Sequence, residues 1–257
     1  MKKSLFIFIV ITITVGFYPT IIKAEKLDGS DVDYRLLVAL RVKQADLQSW
    51  LPDPWQVDPV AKGPLKDANC FVIFIDRLLH QDAEGKTALG GTFRAVAIVA
   101  PAKSAETTES APFVLRIYAP HEDISAINPY KNTVRANISH EQTLKSKNLE
   151  PGTATELWEM KDDSGGMMQL QISYQRDVPR RSNQELKPRS AVEPDFFRIY
   201  RIDQCSDLIK SVPASLDRTQ NLKFQVTKSE FSNLFDGSEE VIGIISIPMY
   251  AKKVFLP

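Results

Sequence analysis

The chain of 257 residues carries 32 basic and 32 acidic side chains, so its formal charges cancel, and neither sign gathers into a long run. That balance excludes the basic face or stripe that marks a nucleic-acid binder. Only two cysteines occur, Cys70 and Cys205, which permits a disulfide without requiring one, and His80, His121 and His140 have no His or Cys partner at zinc spacing. No metal and no cofactor is expected.

The chain opens on Met1-Lys2-Lys3, runs apolar from Leu5 to Tyr18, and reaches a small residue at Ala24. This is the shape of a secretory signal peptide. The expected division is a leader over 1–24 and one domain over 25–257, periplasmic or secreted, with no stable membrane span after cleavage. The alternative is an anchor left uncleaved, because apolar character continues to Ile22. A spanning helix needs ~20 apolar residues, more than this run supplies.

Glu25 to Asp33 is polar and reads as a tether or an edge segment. Tyr34 to Val42 reads as a strand apolar enough to be covered on both faces. Lys43 to Trp50 has helical spacing, with Leu47, Trp50 and Leu51 three and four apart, and Pro52 stops it. Next comes Leu51-Pro52-Asp53-Pro54-Trp55-Gln56-Val57-Asp58-Pro59. Each proline lacks a donor and fixes φ, so the segment belongs in neither a helix nor a central strand. Trp50 and Trp55 need apolar cover, which makes this a rigid crossover lying against one side of the fold.

Cys70 to Ile75, Thr92 to Ala100 and Phe113 to Tyr118 read as strands at hairpin spacing, closed by Pro101 and Pro120 where they end. A short helix is expected before Asn128-Pro129, then a strand over 130–138. Met167 to Tyr174 alternates with period two after the turn Ser164-Gly165-Gly166. Arg176 to Pro194 is the most polar insertion; it reads as a solvated surface loop, or else as a basic lid over a pocket for an acidic ligand. Phe196 to Ile202 alternates again. Thr227-Lys228-Ser229-Glu230 matches a capping box before Phe231, Leu234 and Phe235 and predicts a short helix. Val241 to Tyr250 is a long closing strand. With about eight or nine strands and no βαβ alternation, the expected fold is mainly β: a single closed or nearly closed antiparallel β-barrel with two or three short helices.

A strand, a short helix, a Leu-Pro-x-Pro-hydrophobic-x-hydrophobic-Asp segment and an apolar strand together resemble the start of the acetoacetate decarboxylase-like superfamily. The residues are Leu40-Arg41-Val42, Asp46–Leu51, Leu51-Pro52-Asp53-Pro54-Trp55-Gln56-Val57-Asp58 and Phe71–Ile75. Glu240 to Tyr250 is similar to the family's last strand. The resemblance implies a barrel with a mostly apolar, ligand-sized cavity, commonly in a homo-oligomer. In the decarboxylases a lysine forms an imine with a β-keto acid, which requires an amine that is neutral at working pH.

The family places that lysine in Tyr/Phe-Pro-Lys-Lys after the strand corresponding to Phe113–Tyr118. Here the segment is Asn128-Pro129-Tyr130-Lys131-Asn132, so the resemblance makes Lys131 the candidate nucleophile. The second lysine position holds Asn132, and Arg135 is the candidate replacement cation. The family's glutamates on the two preceding strands have no acidic counterpart in Phe71–Ile75 or Thr92–Ala100. Arg94 is the only charge there; facing inward it would hold a carboxylate bidentately, facing outward it is a solvated strand residue. The leading expectation is an exported barrel that binds a small apolar or carboxylate-bearing molecule without retained decarboxylation, with Arg94, Lys131 and Arg135 as contacts. The first alternative is an imine-forming carbon–carbon lyase using Lys131; the second is a structural or interaction β-domain.

Overall fold

The computed structural model of the protein describes residues 24–88, 91–121 and 127–257. The leader expected over 1–24, except Ala24, and most of the helix expected before Asn128 lie outside them. In chain order the elements are β1 (Lys26–Arg41), α1 (Gln44–Gln48), β2 (Trp55–Val57), β3 (Cys70–Asp82), β4 (Phe93–Ser104) and β5 (Ser110–Ala119). They continue with β6 (Thr133–Lys145), β7 (Thr153–Asp162), β8 (Met167–Gln175), β9 (Arg180–Leu186) and β10 (Arg189–Ser190). The chain ends in β11 (Ile199–Ser211), β12 (Leu216–Asp217), β13 (Thr219–Thr227) and β14 (Glu240–Leu256).

All fourteen strands belong to one sheet, whose main path runs β12-β11-β14-β1-β3-β4-β5-β6-β7-β8-β13. The ladder does not close on itself, but Arg218, between β12 and β13, draws its two ends together. Its N–H donates to the Ile209 carbonyl on β11 (3.0 Å), and its own carbonyl accepts from Gln175 N–H on β8 (2.9 Å). The Arg218 guanidinium also donates to the Gln175 and Leu208 carbonyls and pairs with buried Asp207. Arg218→Ala is expected to lower unfolding stability by about 2 kcal/mol, read by denaturant titration, because it strands a buried carboxylate at that seam.

Three expectations need correction. The sheet is mixed: β5 pairs parallel with β6 and with β10. The connection from Pro120 to Asn132 is long enough to carry the chain back to the start of β5's neighbour, which a parallel pair requires. Among the described residues the helix count is one, α1. The capping-box segment forms consecutive turns, with Ser229 Oγ accepting from Phe231 N–H.

The polar insertion is a strand rather than a loop. β9 pairs antiparallel with β11, Leu186 opposite Tyr200, and all seven of its residues are exposed. The proline-rich crossover behaves as its composition demands. Trp50 stacks on Phe231 at 4.1 Å and Trp55 tilts against Phe113 at 4.8 Å, while β2 pairs with the end of β4. Leu51, Trp55 and Val57 are thereby buried against the barrel filling.

Period-two alternation decides what each strand face does. Leu36, Val38 and Leu40 of β1, Val72 and Phe74 of β3 and Val96 and Ile98 of β4 turn into the barrel and meet Trp158, Leu170 and Ile172. Ile73 and Ile75 of β3, with Ala95, Ala97 and Val99 of β4, turn the other way, into a second and smaller apolar cluster. That second face carries the site.

Candidate functional site

A cavity of about 360 Å³ lies against the second face. Ile73, Ile75, Ala95, Ala97 and Val99 form one apolar wall, and Val114, Ile117, Ile127 and Pro129 extend it. Leu186 and Pro188, at and just past the end of β9 within the polar insertion, border it too. The size and the apolar lining suit a small ligand.

At one end the apolar wall gives way to charge. β1 lies between β3 and β14, so Asp31 and Asp33 each have a partner on both sides. Asp31 lies opposite His80 on β3 and Lys252 on β14; Asp33 lies opposite Arg77 and Tyr250. Directly opposed side chains are within reach of each other. His80 and Arg77 are three apart, yet both reach this face because the β1–β3 register slips between Val32 and Asp33, leaving Leu78 out in solvent. Gly29 is needed where β1 approaches β3: a Cβ there would sit 2.5 Å from the Gln81 carbonyl oxygen.

The contacts form one connected cluster. Lys252 Nζ is 2.9 Å from Asp31 Oδ2, Arg77 Nη2 is 3.3 Å from the same oxygen, and His80 Nδ1 is 2.6 Å from Asp31 Oδ1. Arg77 Nε donates to Asp33 Oδ1 at 3.0 Å, and Arg35 Nε donates to Asp33 Oδ2 at 3.0 Å. The Arg35 guanidinium lies 3.5 Å over the Tyr250 ring, and Lys252 Nζ lies 4.4 Å over the Tyr200 ring. Tyr200 and Tyr130 share a 2.6 Å hydroxyl hydrogen bond beside them.

Within these five ionic residues, three cations (Arg35, Arg77, Lys252) face two carboxylates (Asp31, Asp33). Burial pushes both carboxyls upward, but the surrounding cations outweigh it. Lys252 and Arg77 hold Asp31 well below the usual carboxylate range, and Arg77 and Arg35 lower Asp33. At the rim, Arg198 pairs with Asp28 at 2.8 Å, and Asp82 accepts from the Glu84 and Lys86 backbone N–H groups. Among the described residues no group of three or more His, Cys, Asp or Glu side chains is arranged to hold a metal ion.

None of the three site residues read from the sequence lines this cavity. Lys131 is exposed and sits at a left-handed φ of 59°, while its neighbour Tyr130 turns inward. The segment thus puts Pro129 and the Tyr130 ring at the cavity and the Lys131 ammonium outside it. Lys131→Gly is expected to fold with stability equal to wild type or higher by about 1 kcal/mol, since glycine takes a positive φ freely. Arg135 is exposed and pairs with Asp163 at 3.2 Å. Arg94 shares strand parity with Val96 and Ile98, so it points to the barrel side, where it meets Asp76 at 3.4 Å.

That barrel side holds a second polar cluster. His140 is sandwiched between Trp158 (3.7 Å) and Tyr34 (5.5 Å), both rings within 10° of parallel to it. Its Nδ1 is 3.2 Å from Asp76 and its Nε2 is 3.2 Å from Glu156. Fully buried Glu156 also accepts from the Tyr34 and Tyr174 hydroxyls and from the Trp158 indole N–H. Every oxygen is satisfied, which is how a barrel tolerates a carboxylate at its core.

No family model matches the sequence, and no curated protein matches it. Solved structures do match in fold. The enduracididine biosynthesis enzyme MppR complexed with pyruvate superposes with a TM-score of 0.57 at 10% identity, over 93% of this chain and 91% of that one. An acetoacetate decarboxylase-like enzyme from Sphingomonas wittichii RW1 gives 0.57 at 11% identity, over 90% and 91%. Acetoacetate decarboxylase from Legionella pneumophila gives 0.50 at 10% identity, over 95% and 91%. The chain therefore has the acetoacetate decarboxylase-like fold. At such identities the likeness extends to the fold alone.

The residues that the sequence reading missed are Asp31, Asp33, Arg77, His80 and Lys252. A signal was present in Asp31-Val32-Asp33-Tyr34-Arg35, where charge alternates with bulk at strand period.

Proposed function

We propose that this protein binds a small monocarboxylate with an apolar tail in the β1/β3/β4/β14 cavity, and that it does not decarboxylate the ligand through an imine. The observation that carries this reading is the three-cation, two-carboxylate cluster at one end of an otherwise apolar cavity. A carboxylate docked there meets an excess of guanidinium and ammonium donors, while its tail meets Ile75, Ala97 and Val99. The pyruvate carried by the structurally similar MppR supports a ligand of this size and charge.

Loss of imine chemistry follows from the same cluster. Lys252 is the only lysine among the residues lining the cavity, and its ammonium is held 2.9 Å from ionised Asp31. An imine-forming nitrogen must be free to reach the ligand's carbonyl carbon, and this one is tied to Asp31 on one side and lies 4.4 Å over the Tyr200 ring on the other. Borohydride treatment with saturating pyruvate is expected to leave the protein mass unchanged. A reduced adduct at Lys252 or Lys131 would overturn this half of the reading.

We also propose that the chain is exported on its N-terminal leader, as the cationic start and apolar run support. N-terminal sequencing of protein from the periplasm or medium is expected to begin near Glu25; an intact Met1 there would contradict it.

A further inference from the structure

We infer that His80, oriented by Asp31, is a general base that removes a proton from the carbon next to the carbonyl of a bound 2-oxo acid. This rests on the carboxylate-binding reading and adds an activity to it. Three side chains converge on one carboxylate: His80 Nδ1 (2.6 Å), Lys252 Nζ (2.9 Å) and Arg77 Nη2 (3.3 Å) all contact Asp31. Because Asp31 accepts, the imidazole proton sits on Nδ1 and the lone pair on Nε2. His80 lines the cavity, and Nε2 has no hydrogen-bond partner among the described residues. The His80 side chain is 14% exposed, so the ring is not sealed off from a ligand.

The ring is fixed as well as oriented. It meets Phe93 edge-on at 6.3 Å, and Arg77 in turn lies 4.8 Å over the same Phe93 ring. The base and two cations are therefore packed as one unit at the charged end of the cavity. That combination suits one chemistry. An imidazole can deprotonate carbon only when a neighbouring carbonyl accepts the electron pair, and the resulting enolate needs positive charge close by.

The proposed step balances without a co-reactant. The C3–H bond of the 2-oxo acid breaks and its proton passes to His80 Nε2. The C–H electron pair becomes the C2–C3 π bond, and the carbonyl pair moves to oxygen as an enolate facing Lys252 and Arg77. Reversal returns a proton to C3. No covalent bond to the protein forms and nothing is oxidised.

The test is hydrogen exchange of pyruvate and 2-oxobutyrate in D₂O, followed by loss of the C3 proton signal in NMR. Binding is measured on the same samples by calorimetry. Wild type is expected to exchange C3 protons about 100-fold or more faster than buffer. His80→Asn keeps an amide donor for Asp31 and removes the base; it is expected to bind both acids and exchange them at the buffer rate. Binding without accelerated exchange in wild type overturns this inference and leaves the binding reading standing. So does a His80→Asn variant that exchanges like wild type. Absence of binding overturns both.

Discussion

Asp33→Ala is expected to destabilise the protein by about 3–5 kcal/mol, lowering the thermal midpoint by roughly 10 °C in calorimetry. Asp33 is fully buried and holds buried Arg35 and half-buried Arg77 through one oxygen each. Removing the carboxylate leaves the Arg35 guanidinium in the interior without a carboxylate partner and Arg77 with only its 3.3 Å contact to Asp31, so the desolvation of these groups is no longer fully offset. Asp163→Ala, on the exposed pair with Arg135, is the control and is expected to leave the midpoint where it is. Equal effects from the two variants would mean that the Asp33 cluster is solvated and not a buried ionic unit.

The second large effect lies on the barrel side. His140→Ala is expected to cost about 3–5 kcal/mol, measured by denaturant titration, because buried Glu156 then loses its charged partner and Trp158 loses a stacked ring. The same cluster predicts a pH window. Burial lowers the His140 pKa, but hydrogen bonds to Asp76 and Glu156 raise it above its ordinary 6.5. Its contribution is thus complete below 6.5 and is lost as pH rises through the folded value. Burial raises Glu156, but its bonds to His140, Tyr34, Tyr174 and Trp158 lower it below its ordinary 4.5. Its contribution is complete above 4.5 and is lost as pH falls through the folded value. Together they give a stability plateau between these two ordinary values, falling away on either side. His140→Gln is expected to lose the alkaline slope; a variant with an unchanged slope would remove His140 as its source.

The fold was more legible than the site, and the reason is physical. Val72, Phe74, Val96 and Ile98 announce strands because burial demands bulk at period two, and Trp50 and Trp55 announce cover because indoles among prolines need a wall. Register is different. Asp31 gains its meaning only when β3 and β14 bring His80 and Lys252 to either side of it, which depends on residues some fifty and two hundred positions away. Read locally, those acids end a tether, Arg77 and His80 lie beyond the end of a strand, and Lys252 lies beyond another. Strands were therefore cut short where their charged ends begin.

Arg94 and Lys131 lie off the cavity for separate reasons. The strand Phe93–Ser104 is apolar on both faces, so parity ties Arg94 to Val96 and Ile98 without telling which face holds a cavity. Lys131 was chosen by resemblance to a motif in which two adjacent residues are exchanged here. Here Pro129 and Tyr130 both line the cavity, while Lys131, next in the chain and at a left-handed φ, is exposed. The polar insertion was legible in composition and not in role: a solvated strand on its exposed length, a cavity wall at Leu186 and Pro188.

The account rests on the cavity accepting a carboxylate, and calorimetric titration with pyruvate, 2-oxobutyrate and benzoate tests it most directly. Wild type and Ala97→Phe are compared, since a phenyl ring at Ala97 fills the apolar end without touching the ionic cluster. The predicted result is saturable binding to wild type and an affinity loss of at least about tenfold in Ala97→Phe, with its thermal midpoint retained. No binding by wild type to any of the three, or equal binding by the filled variant, would contradict it.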